Sequence, residues 1–105
     1  MIMIADYIAN HIEFLEQGEQ PLDVKLERIL QHEYRRKFAR YQYTDRILRQ
    51  KYQMDFKTFR QQKIVAEQDY SFEVENDASD WEMALDGVVT MARKLKELQE
   101  SPHVH

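Results

Sequence analysis

The residues of this 105-residue chain best suited to chemistry are the carboxylates between positions 73 and 86. Glu73, Glu75, Asp77, Asp80, Glu82 and Asp86 crowd hard oxygen donors into one stretch. A calcium loop needs such donors at close spacing, with a glycine at its tight turn. The segment 75–82, ENDASDWE, has no glycine and no loop pattern, so a small metal-dependent protein is a minor reading. Asp77, Ser79 and Glu82 read better as caps and first-turn charges of a helix, where negative charge meets the N-terminal dipole. His11, His32, His103 and His105 do not cluster, and His32-Glu33 is followed by Tyr34, Arg35 and Arg36, not by the spacing of a zinc protease helix. The terminal HVH is at most an adventitious metal ligand. Ser71, Ser79 and Ser101 lack a nucleophile elbow, and Gly18 and Gly87 stand alone, so no phosphate loop exists. The chain has no cysteine, which removes disulfides, thiolate nucleophiles and thiolate metal sites. These residues point to a non-enzymatic protein with no catalytic residue and no cofactor.

A second set is basic. Arg35, Arg36, Arg40, Arg46 and Arg49, with Lys37 and Lys51, interleave with Tyr34, Tyr41, Tyr43 and Tyr52. Cations alternating with aromatic rings suit a nucleic-acid backbone and its bases. The net charge is −4, however, and no short recognition helix after a tight turn is evident. The tyrosines also fall at core spacing, where arginine stems would lie over them. A DNA-binding regulator is therefore the alternative reading.

Both sets belong to a wider segregation of charge. Residues 1–23 hold five acids and no Lys or Arg. Residues 24–63 hold twelve Lys or Arg against four acids, a net +8, and residues 64–86 hold eight acids and no Lys or Arg, a net −8. In one interpretation the basic and acidic segments lie against each other, within a chain or across a dimer. Exposed pairs are worth only about 0–1 kcal/mol each, yet complementary fields set register. In the other, the acidic segment faces a basic protein.

The elements that position these residues read as helices. The chain has only two Gly and two Pro, too few turn residues for a sheet of many hairpins. Apolar residues make up 43% and charged residues 32%, which suits an elongated helical protein. Ile4, Ile8, Ile12 and Leu15 recur at helical spacing over 4–17, widened by Tyr7 and Phe14, and Gly18 stops that helix. Pro21 opens a long segment to about 52, with Leu22, Leu26, Ile29, Leu30, Tyr34, Phe38 and Tyr41 in one stripe. Residues 41–44 are its weakest point and a candidate kink. Asp55 caps a short helix anchored by Phe56 and Phe59. Tyr70, Phe72 and Val74 alternate with polar residues, the period of a strand, which predicts a short extended connector near 70–75. Ser79 and Glu82 then have capping-box spacing, opening a helix whose stripe is Trp81, Leu85, Val88, Met91, Leu95 and Leu98. Gly87, inside it, costs about 1 kcal/mol relative to alanine, so a close helix crossing is expected there. Trp81, Leu85, Val88 and Leu95 form the core or a dimer seam.

Two stretches resemble a known group. RYQYTDRILRQKYQMDF carries Tyr41, Asp45, Arg46, Lys51, Tyr52, Met54 and Phe56, and YSFEVENDASDWEMALDG carries Ser71 through Gly87. Over roughly residues 25–98 the chain resembles short, largely uncharacterised prokaryotic proteins, themselves similar to the small, antitoxin-like partner of toxin–antitoxin gene pairs. The resemblance implies an antitoxin or accessory role and supplies no active-site residue.

The expectation is thus one all-α domain over 1–105: an elongated hairpin or bundle with two long amphipathic helices, a short N-terminal helix and a frayed tail at 100–105. It would homodimerise through the long helices and present Glu73, Glu75, Asp77, Asp80, Glu82 and Asp86 to a basic, toxin-like partner. The start does not read as a signal peptide and no apolar run has the ~20 residues of a membrane span, so a cytoplasmic location is expected.

Overall fold

A computed structural model describes residues 3–62 and 71–100. Among them the chain forms four helices and no strand: α1 (Asp6–Leu15), α2 (Leu22–Tyr52), α3 (Phe56–Gln61) and α4 (Phe72–Gln99). The fold is all-α and elongated, with principal extents of 58 × 27 × 21 Å. Its frame is an antiparallel hairpin of α2 and α4. Tyr41 meets Gly87, Asp45 meets Trp81 and Tyr52 meets Asp77, so ascending positions on one helix meet descending positions on the other.

α2 runs 31 residues without a break. The expected weak point at 41–44 does not break the helix. No Gly or Pro interrupts the helix, the Thr44 hydroxyl donates to the Arg40 carbonyl at 3.2 Å, and Tyr41 is held against α4. Packing over a long interface outweighs the few tenths of a kcal/mol by which β-branched and aromatic residues disfavour a helix. α2 ends on Gln53, whose φ of 57° is left-handed. Glycine is the usual residue there; here the Gln53 side-chain amide donates to the Gln50 carbonyl at 2.7 Å, satisfying one of the last turn's acceptors. Asp55 then caps α3 as expected, accepting from the Thr58 amide at 2.8 Å.

The extended connector near 70–75 is not observed: residues 72–75 are the first turn of α4, and residue 70 lies outside the described residues. The N-cap is Ser71, whose hydroxyl accepts from the Val74 amide at 3.3 Å. Ser79 and Glu82, read as a capping box, sit well inside the helix. The physical reason is the stripe. Val74, Ala78, Trp81 and Leu85 recur at helical spacing and join one core, while Phe72, which the strand reading paired with Val74, stands exposed. A five-residue alternation without a partner strand has no ladder to satisfy its backbone; the helix satisfies it internally. The tail at 101–105 lies outside the described residues.

The core sits at the closed end of the hairpin. Leu48, Phe59, Val74 and Trp81 are buried, with Tyr52, Met54, Phe56, Ala78 and Leu85 packed against them. α3 lies across this end, bringing Phe56 and Phe59 to 5.3 and 5.2 Å from the Trp81 ring. Trp81 is 0% exposed in the single chain. Of the two readings of the Trp81, Leu85, Val88 and Leu95 seam, the core reading holds for Trp81; the other three are half-buried.

Candidate functional site

The facing helices are joined by three cross-links, each made by a residue of the two quoted stretches. At the closed end, the Tyr52 hydroxyl donates to Asp77 Oδ2 at 2.6 Å and Lys51 Nζ reaches the same oxygen at 2.6 Å. Lys51 also donates to Glu73 at 2.7 Å. Two turns along, the Trp81 indole donates to Asp45 Oδ1 at 2.8 Å, and Asp45 Oδ2 lies 3.3 Å from Arg49. Further along, a Cβ built on Gly87 would stand 2.4–2.6 Å from the Tyr41 ring carbons, so the ring fills the space that any side chain at 87 would need. A close neighbour at Gly87 was expected from a helix crossing; the neighbour is the Tyr41 ring.

These contacts shift protonation. The hydrogen bonds that Lys51 donates to Asp77 and then Glu73 hold its ammonium well above the ordinary lysine range. Burial, reinforced by the bond to Asp77, pushes the Tyr52 phenol up to about 12. The folded chain therefore holds the Tyr52 proton more tightly than the unfolded chain, which ionises near 10. Stability should be undiminished below about pH 10 and fall between about pH 10 and 12, with Lys51 acting in the same direction. Urea midpoints measured across this range should show the fall, and Tyr52→Phe should flatten it.

Cross-linking divides the acidic set. Asp77 and Glu73 face Lys51, the internal neutralisation that charge segregation allowed. Glu75, Asp80, Glu82 and Asp86 are exposed. Of these four, only Glu82 makes an ion pair among the described residues, a long one to Arg60 at 3.9 Å. Phe72 (79% exposed) and Met83 (61%) stand i and i+11 on the same side of α4 as Glu75, Glu82 and Asp86. Two large apolar side chains thus rise among exposed carboxylates. Among the described residues no group of three or more His, Asp or Glu side chains is placed to hold a metal ion.

The basic set is spread around α2. At 100° per residue, Arg35 and Arg46 share one face, while Arg36 and Arg40 lie well round from it. Arg36 forms a two-point bond with Glu33 (2.6 and 3.0 Å), and Arg49 is drawn to Asp45. Arg35, Arg40 and Arg46 make no ion pair among the described residues. Arg46 lies 5.3 Å over the exposed Tyr43 ring. Tyr34, Tyr41 and Tyr52 are half-buried, in keeping with a packing role. Beside α3 an open groove has Phe56 and Leu85 among its lining, with Arg49, Lys57, Arg60 and Asp55 around them. Its arginines already have carboxylate neighbours, Asp45 and Glu82.

No family model, curated protein or solved structure matches the chain. The quoted stretches gain their meaning from geometry instead: Tyr41, Asp45, Lys51 and Tyr52 on one side, Asp77, Trp81 and Gly87 on the other, are a register lock for the hairpin. Asp45 and Tyr52 were not singled out as a site from sequence. The available signal was Asp45 itself, a carboxylate inside the stripe Tyr41, Leu48, Tyr52, which requires a buried donor opposite. Among the described residues, no helix is long and apolar enough to cross a membrane.

Proposed function

We propose that this chain is a non-enzymatic interaction module, antitoxin-like in role, that offers the outer face of α4 to a basic protein in the cytoplasm of a prokaryotic cell. The observation that carries this reading is the division of the acidic set. Glu73 and Asp77 serve the hairpin, while Glu75, Asp80 and Asp86 stay exposed beside Phe72 and Met83. An apolar anchor ringed by like charges has the anatomy of a protein interface, and its field steers a basic partner. The lack of cysteine suits a reducing compartment.

The test is co-expression with any small basic protein encoded beside this gene. Co-purification is expected, loosening as salt is raised. Glu75→Lys with Asp86→Lys should weaken it by more than about tenfold, since reversed rim charges slow association and repel the partner. Phe72→Ala should weaken it while leaving the helical signal intact. Retention of the partner by all three substitutions together would defeat the reading. The alternative, a DNA-binding regulator, draws on the exposed Arg35, Arg40, Arg46 and Tyr43. Mobility shifts on promoter DNA across a salt series separate the two, because phosphate contacts must weaken steeply with salt.

A further inference from the structure

The end of the molecule remote from the Trp81 core has its burial inverted. Lys25 is 2% exposed, held by an ion pair with Glu13, and Glu27 is buried too. Meanwhile Tyr7 is 70% exposed, Phe14 74% and Leu15 65%, with Ile8 and Leu30 also open. Spacing explains the pattern on α1. Tyr7 and Phe14 are i and i+7, Ile8 and Leu15 are i and i+7 one position round, and Ile12 lies at the far edge of the same apolar arc. Only Ile12 is buried. α1 packs chiefly on α2, and α2 covers one margin of a stripe that continues into solvent.

The exposed part of that stripe is continuous with α2, because Leu15, Glu16, Ile29, Leu30 and Arg36 line one open groove. Two aromatic rings of about 150–250 Å² each, with three aliphatic side chains beside them, exceed the scattered apolar exposure of an ordinary monomer surface. They approach the ~800 Å² that one partner contributes to a standard interface. Charge indicates the occupant. Around α1, Asp6, Glu16 and Glu19 make no ion pair among the described residues, and neither do Lys37 and Arg40, on the groove's side of α2. The chain carries acid and base on adjoining parts of one surface. A second copy turned by a two-fold axis meets each with its opposite.

We propose that two copies of this chain associate through the exposed face of α1 and the Leu15–Leu30 groove, the acidic arm of each lying over the basic middle of the other's α2. This surface is separate from the outer face of α4, so dimerisation and capture of a basic protein are independent.

The experiment is sedimentation equilibrium of the full chain. The expected result is twice the 12.8 kDa chain mass, with dissociation promoted by salt. Phe14→Glu should raise the dimer Kd by at least about a hundredfold, since a two-fold axis brings two new carboxylates into the interface, one from each copy. Its far-UV circular dichroism should be unchanged, because Phe14 is not in the core. Tyr7→Glu, at the other end of the face, should do the same. A wild-type monomer at every concentration overturns the proposal, as does a dimer that Phe14→Glu leaves intact. A dimer indifferent to salt overturns the acid-to-base orientation.

Discussion

Replacing Trp81 by alanine is expected to leave the chain largely unfolded, seen as loss of the cooperative urea transition in circular dichroism. Trp81 is fully buried and touches the rings of Tyr52, Phe56 and Phe59. Truncating a buried Trp or Phe to alanine costs about 3–5 kcal/mol. The change also takes the indole donor from the half-buried Asp45, and a hydrogen bond to a charged group is worth about 1.5–3 kcal/mol. Small domains have about 5–15 kcal/mol in total, so the loss consumes most of it. Trp81→Phe separates the two contributions: the core stays largely filled while Asp45 loses its donor. A cooperative transition at lower urea is expected for that variant. Trp81→Ala with an undiminished midpoint would place the core elsewhere.

The second large effect concerns Gly87, where two principles oppose each other in sign. Helix propensity says that Gly87→Ala gains about 1 kcal/mol. The crossing says that the new methyl meets the Tyr41 ring at 2.4–2.6 Å, including Cγ at the root of the ring, which cannot swing aside as a flexible tip could. Overpacking of this kind costs about 1–3 kcal/mol. The clash should win, so Gly87→Ala destabilises and Gly87→Val does so more severely. In a Tyr41→Ala background the obstacle is gone and Gly87→Ala should become stabilising. This reversal in a double-mutant cycle is the decisive measurement. A stabilising Gly87→Ala in the native background would mean that the Tyr41 ring does not lie over Gly87.

Both effects arise from the cross-links of one hairpin, and this frames what the quoted stretches are for. Their polar and aromatic residues could be taken for a site. Tyr41, Asp45, Lys51, Tyr52, Asp77 and Trp81 instead fix which turn of α2 faces which turn of α4. Residues left out of that lock are the ones free to meet partners: Phe72, Glu75, Met83 and Asp86 on α4, and Tyr7, Phe14 and Leu15 on α1.

The sequence by itself determined the helical class, the long second helix, the Asp55 cap and a close neighbour at Gly87. Each depends on local chemistry: few turn residues, a carboxylate before a helical run, and a glycine whose helix cost demands a close neighbour. It misplaced the start of α4, because the alternation at 70–75 and the Ser79-to-Glu82 spacing are valid local signals for other structures. Only packing ranked them, by showing that Val74 and Ala78 share the Trp81 core and Phe72 does not. It also could not divide its own acids. Asp77 and Asp80 are alike as residues, but α2 approaches from one side, so Asp77 meets Lys51 and Tyr52 while Asp80 meets solvent. Which carboxylates hold the fold and which remain exposed to solvent depends on the direction from which α2 arrives, and tertiary structure alone decides it.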